Sequence, residues 1–147
     1  MGLIGAIAST ASGLQAQRVR MDVVSANVAN IDTTRDASGG PYQRKIVRFT
    51  AAGQGAPFAH LVSRLSGQPA GGVVLTQVAT DQATPNRLVY DPSHIDADAD
   101  GYVELSNVNL VTEMTDLASA NRSYQANVTV LNAMKQMALR ALDIASR

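Results

Sequence analysis

Residues 107–147 read NVNLVTEMTDLASANRSYQANVTVLNAMKQMALRALDIASR, with no glycine or proline after Gly101. An apolar seam runs through Leu110, Met114, Leu117, Tyr124, Val128, Leu131, Ala138, Leu142 and Ala145. It advances by three, four or seven residues, the rhythm of a coiled-coil seam. The spacing predicts one uninterrupted C-terminal helix, about 55 to 60 Å long at roughly 1.5 Å per residue. A rod of that length needs a partner along it. A second apolar line, Val130, Met134, Met137, Ala141 and Ile144, lies beside the first, so the helix is expected to have more than one neighbour. Asn121 and Lys135 fall at seam positions, with Arg122, Gln125, Asn127 and Asn132 around them. A seam asparagine trades stability for register, and Asn121 is read in that way.

Working outward, the chain has a second heptad-like stretch at its other end. Leu3, Ile7, Leu14, Met21, Val24, Val28 and Ile31 share a seam with Thr10 and Gln17. Gly5 and Gly13 each cost about 1 kcal/mol relative to alanine in a helix interior, so this helix is expected to be marginal alone. Asp32, Thr33 and Thr34, then Gly39, Gly40 and Pro41, end it. Tyr42 to Thr50 predicts a strand with Arg44, Lys45 and Arg48 distributed over both faces. Val73 to Ala79, Leu88 to Tyr90 and Tyr102 to Leu105 predict three more short strands. Between the first two, residues 51–72 are rich in glycine and proline and read as a flexible loop. The plan is helix (1–34), small β-rich insert (35–106), helix (107–147).

Twelve Lys and Arg balance twelve Asp and Glu, so no global field draws the chain to nucleic acid or an anionic membrane. Arg44, Lys45 and Arg48 beside Tyr42 and Phe49 would suit a nucleic-acid strand locally. In a neutral chain a solvated or subunit-facing strand with salt bridges is the better reading. Charged residues make up 16% of the chain, below the roughly 25% of ordinary domains, which suits a surface covered by neighbours. No stretch is long and apolar enough to span a bilayer. The first basic residue is Arg18, so the N-terminus makes a poor secretory signal.

Asp96, Asp98, Asp100, Gly101 and Glu104 match five positions of an EF-hand calcium loop. Asn107 stands where the bidentate carboxylate is required, and Pro92 disfavours an entering helix. An acidic turn before a strand is the reading adopted, and a calcium-regulated coiled-coil binding module is the alternative. His60 and His94 read as ordinary loop residues. There is no cysteine, no nucleophile elbow, no phosphate loop and no dinucleotide fingerprint. The chain is read as a non-enzyme with no catalytic residue, metal or cofactor.

Ser25, Ala26, Asn27, Val28, Ala29, Asn30, Ile31, Asp32 and Thr33 resemble the N-terminal signature of flagellar rod, hook and related axial proteins. Asn107, Val108, Asn109, Leu110, Val111, Glu113 and Met114, then Arg122 to Asn127, resemble their C-terminal signature. Tyr90 to His94, Asp96 to Val103, and Gly40, Pro41, Tyr42, Arg44 and Lys45 narrow the resemblance to proximal rod subunits.

The resemblance implies a mainly α fold with a small β-rich insert. The long terminal helices pair as an antiparallel-like coiled coil lining an inner tube, and the middle segment lies outside. It also implies self-assembly with other copies and with other rod proteins, and delivery unfolded through the flagellar type III export apparatus without a cleaved signal peptide. The location implied is the basal-body rod where it crosses the periplasm. Interface residues expected on this basis are Leu14, Met21, Val24, Asn27, Val28, Asn30, Ile31, Leu110, Met114, Leu117, Asn121, Tyr124, Asn127, Val128, Leu131, Met134, Lys135 and Leu142. Arg44, Lys45 and Arg48 are expected to make surface strand contacts, and the termini are expected to be poorly ordered in a free monomer.

Overall fold

The computed structural model describes residues 2–37, 39–52 and 71–145, so most of the loop expected at 51–72, with His60, lies outside the described residues. Two long helices, α1 (Leu3–Ala29) and α2 (Leu110–Ala145), flank four short strands: β1 (Lys45–Ala51), β2 (Val73–Thr80), β3 (Arg87–Tyr90) and β4 (Tyr102–Leu105). The fold is mainly α, with the helices paired as a coiled coil around a small β-rich insert.

Asn109 starts α2. Its Oδ1 accepts the amides of Val111 at 3.0 Å and Thr112 at 3.2 Å, satisfying two of the donors that a helix start leaves open. Asn30 closes α1. Its amide reaches the carbonyls of Ala26 and Asn27, and its Nδ2 donates to Ala26 O at 2.8 Å. Asn27 faces Glu113, and Gly13 faces Asn127. Each step along one helix is therefore matched by an equal and opposite step along the other, and the pair is antiparallel with no slip over two heptads. Continued at that register, α1 begins opposite Met137, and the last two turns of α2 overhang it.

On α2 the residues turned toward α1 are Glu113, Leu117, Ala120, Tyr124, Asn127, Leu131, Met134 and Ala138, all buried or half-buried and spaced four, three, four, three throughout. This seam is rotated from the one expected. Leu117, Tyr124, Leu131 and Ala138 are common to both, but Glu113, Ala120 and Met134 replace Met114, Asn121 and Lys135, and Asn127 joins Val128, which stays half-buried. Met114, Asn121 and Lys135 are exposed, and Asn121 accepts a hydrogen bond from Gln125 on the same helix. The reason is tertiary: Glu113 has buried polar partners waiting for it, and Met114 does not.

The strands form two separate antiparallel ribbons, β1–β2 and β3–β4. The first pairs Lys45 with Thr80 and Ala51 with Val73, with a bulge between Arg48 and Phe49. An isolated two-stranded ribbon is marginal in water, so each leans on a helix or its flank. The first is tied to α1 by the Val73 amide, which donates to Ser12 Oγ at 3.0 Å. The second is tied to the segment after α1: Thr34 Oγ1 donates to Asp96 at 2.8 Å, Arg35 pairs with Asp96 at 3.3 Å, and Arg87 pairs with Asp32 at 3.5 Å. Its turn closes at Gly101, whose φ of +82° and whose distance of 2.9 Å from a notional Cβ to the Tyr90 ring exclude other residues.

The apolar core is thin. Ala16, Val24, Tyr42, Val103, Val108 and Ala120 are buried, while the largest fully buried side chains are Glu113, Asn27 and Ser106. Ala120 has no exposed surface where the helices meet. Ala120→Leu should overfill that contact and destabilise the folded chain by about 1–3 kcal/mol. Chemical denaturation followed by far-UV circular dichroism measures this, and an unchanged midpoint would contradict the packing described.

Candidate functional site

Where α1, the start of β1, the turn after β2 and the start of α2 converge, the chain builds a closed polar junction. At its centre the Asn27 side chain uses every hydrogen-bonding position it has. Its Nδ2 donates to Lys45 O at 2.9 Å and to Glu113 Oε2 at 3.0 Å. Its Oδ1 accepts the Tyr42 hydroxyl at 3.0 Å and the Lys45 amide at 2.9 Å. The other carboxylate oxygen of Glu113 accepts Arg44 Nε at 2.6 Å. The same guanidinium reaches Asp116 at 3.6 Å and Asp81 at 3.9 Å. A buried carboxylate is tolerated only with such partners.

Asn107 extends the junction. Its Oδ1 accepts the Arg44 amide at 2.7 Å, and its Nδ2 donates to the carbonyls of Asp81 at 2.9 Å and Thr84 at 3.1 Å. Asp81 in turn organises the turn after β2. It accepts the amides of Ala83 and Thr84 and the Thr84 hydroxyl. The Thr84 hydroxyl, followed by the Thr84 amide, holds the Asp81 carboxyl below its ordinary value, with the Ala83 amide and the Arg44 guanidinium adding to the effect. Burial pushes the Tyr42 phenol up, and the charges of Asp36 and Glu113 push it further. The junction therefore binds the helices to the insert through charge-assisted hydrogen bonds.

The residues singled out in the sequence divide between this interior and the surface. Asn27 is fully buried in the junction and Val24 is buried beside it, while Asn30 caps its own helix. Leu14, Met21, Val28, Ile31, Leu117, Tyr124, Asn127, Val128, Leu131 and Met134 are half-buried along the helix pair. Leu110, Met114, Asn121, Lys135 and Leu142 are exposed. Arg44 departs from the surface strand contact expected of it, because its guanidinium turns inward onto Glu113. Lys45 lies 5.5 Å from the Tyr42 ring centre, and Arg48 is exposed. Glu113, Asn107 and Asp81 carry the junction without having been assigned roles from the sequence. Asn107 and Glu113 are visible in the sequence only as members of the C-terminal motif, and Asp81, between Thr80 and Gln82, carries no signal of its own.

The acidic turn is committed within the chain. Asp96 is held by Thr34 and Arg35, Asp91 accepts the Ser93 hydroxyl and amide, and Asp98 accepts the amides of Asp100 and Tyr102. Asp98 therefore shapes a turn, and these carboxylates do not converge. Among the described residues no group of three His, Cys, Asp or Glu side chains is placed to hold a metal ion.

The helical members of the junction, Asn27 and Glu113, fall within segments shared with known proteins. Residues 7–35 match the family model described as flagella basal body rod protein, and residues 99–144 match the one described as flagellar basal body rod FlgEFG protein C-terminal. The chain is 46% identical to the flagellar basal-body rod protein FlgC of Bacillus subtilis (strain 168) over 142 residues, 92% of this chain and 93% of that protein. It is 43% identical to the FlgC protein of Borreliella burgdorferi and 40% identical to that of Salmonella typhimurium (strain LT2), in each case over 98% of both chains.

Asn27→Ala leaves Glu113, the Tyr42 hydroxyl and both Lys45 backbone groups short of a partner. It should destabilise the chain by about 2–4 kcal/mol in urea denaturation. Asp81 gives a pH signature. Its folded value lies below the ordinary one of about 3.9, so its contribution is complete above that value and is lost as pH falls from it toward the folded value. Asp81→Asn should flatten the acid limb of a stability-against-pH profile below about pH 4. An acid limb identical to the parent's would contradict this.

Proposed function

Because the chain belongs to the FlgC family of flagellar basal-body rod proteins, we propose that its two helices form an inner assembly unit and its insert an outer one within the rod. The chain is a structural, non-catalytic rod subunit that assembles into the basal-body rod. The finer reading is that residues 1–34 and 107–147 make the inner unit and residues 35–106 the outer one. Its neighbours are further copies of itself and other rod proteins. It reaches them unfolded through the flagellar export apparatus, in a rod that crosses the periplasm.

The observation that supports this reading is the apolar surface left uncovered on the helix pair. Val111, Met114, Val130, Met137, Leu139, Leu142 and Ile144 are all exposed, several by more than half. Single exposed apolar residues are ordinary, but so many of them spread over the exposed sides of one helix suit a surface that partners cover. Leu110, Met114, Asn121, Lys135 and Leu142, which do not face α1, are available for the same purpose. Burial in a neighbour would also supply the stabilisation that the thin core of the single chain lacks. A marginal α1 suits a subunit that is threaded through a channel and folds fully on arrival.

Two outcomes test this. Met137→Asp with Ile144→Asp alters two side chains that are 58% and 77% exposed and should change the stability of the purified chain by no more than about 0.5 kcal/mol. The same pair should abolish incorporation into purified hook and basal-body particles and abolish swimming. In dilute monomer, amide exchange should be fast from residue 125 onward and slowest beside the junction. Absence of the parent chain from the particles, or uniform protection along α2, would overturn the reading.

A further inference from the structure

The β3–β4 ribbon has an unpartnered face. Its register pairs Tyr90 with Tyr102 and Leu88 with Glu104, so these four side chains share one side. Leu88 and Tyr90 are each 65% exposed and Tyr102 is 45% exposed, and the two rings stand edge to face at 5.3 Å. Around this apolar patch lie Asp91, Asp98, Asp100 and Glu104, none of which forms an ion pair among the described residues. A pre-ordered aromatic pair ringed by carboxylates that have no cationic partner among the described residues, although Asp91, Asp98 and Glu104 accept hydrogen bonds within the chain, has the anatomy of a docking surface for a cationic partner with an apolar centre.

The chain carries the matching surface elsewhere. On a flank of α2, each one residue before a position turned toward α1, Ala126, Val130, Ala133 and Met137 form an exposed line at helical spacing. Arg122 lies just before it and Arg140 just after it, both exposed. No acidic residue falls between Arg122 and Arg140. The overall neutrality of the chain thus conceals opposite signs in two places. The stretch from Asp81 to Asp116 is acidic, with Arg87 its only cation, while α2 beyond Leu117 has more basic residues than acidic ones. The two surfaces cannot meet within one molecule. The ribbon is tied to Asp32, Thr34 and Arg35 past the C-terminal end of α1, whereas residues 126–137 lie toward the opposite end of the helix pair.

We propose that the exposed face of the β3–β4 ribbon of one copy docks on the exposed flank of α2 of a second copy, with Tyr90, Tyr102 and Leu88 over Ala126, Val130 and Met137 and the carboxylates toward Arg122 and Arg140. This rests on the rod-subunit reading and names a contact that such a subunit would use. Two different patches of the same molecule meet, so the contact is head-to-tail. Repeated without closure it generates a helix and not a ring.

Charge reversal in the purified full-length chain tests it. One variant carries Asp100→Lys and Glu104→Lys, and the other carries Arg122→Glu and Arg140→Glu. Each should weaken self-association at low ionic strength by at least about tenfold in sedimentation velocity, with an unchanged circular dichroism spectrum. An equimolar mixture should recover to within about threefold of the parent, because each reversed face then meets its complement. If a reversal disturbs the fold, Leu88→Cys combined with Val130→Cys in this cysteine-free chain replaces it, and mild oxidation should trap linked copies. Reversed variants that associate like the parent, a mixture that stays dissociated, a parent chain that does not self-associate, or no trapped disulfide would each overturn the second-copy contact. The rod-subunit reading fails separately, by absence of the chain from basal-body particles.

Discussion

One carboxamide lies at the centre of the junction that joins the insert to the two helices. Asn27 is fully buried, and its four hydrogen bonds connect α1 to the backbone of Lys45, to the Tyr42 hydroxyl and to Glu113 at the start of α2. No other side chain of that size offers two donors and two acceptors in one plane. Aspartate would set a carboxylate against Glu113, and leucine would strand four polar groups. The burial of Glu113 is possible only because Asn27 occupies one oxygen and Arg44 the other. A constraint of this kind selects a single arrangement: only one rotation of α2 and one placement of β1 satisfy every group.

That choice of rotation decides which surface the molecule presents. With Glu113, Ala120, Asn127 and Met134 turned inward, Met114, Asn121 and Lys135 are turned out, and the line from Ala126 to Met137 lies exposed on a flank of the helix. Polar specificity inside and apolar exposure outside is the reverse of a self-sufficient domain. It suits a subunit whose remaining apolar burial is supplied by neighbours. The junction also ties the insert to the helices through charge-assisted hydrogen bonds.

The two helices were legible in the sequence because heptad spacing and the absence of glycine and proline are local properties, and the strands lie within two or three residues of where β-branched runs place them. The seam was legible only to within one residue. Hydropathy favours Met114 over Glu113, and what reverses that preference is Asn27, 86 positions away, and Arg44, 69 positions away. Composition cannot register partners at that distance. The same holds for Arg44, which reads as a strand cation until Glu113 is beside it. The acidic turn resembled a cation loop because the groups that engage Asp96 come from Thr34 and Arg35. Asn27 was visible as part of a motif, but its position inside the junction was not.

The coupling between Asn27 and Glu113 measures this account most directly. A double-mutant cycle with Asn27→Leu and Glu113→Leu, read by urea denaturation of the purified chain, isolates it. Each single substitution strands the other residue, while the double removes both polar groups together, so the account predicts a coupling of at least about 1.5 kcal/mol, with the double variant more stable than the sum of the singles implies. Additive effects, with a coupling within about 0.5 kcal/mol of zero, would mean that the two residues do not meet and that the junction is not what holds the fold.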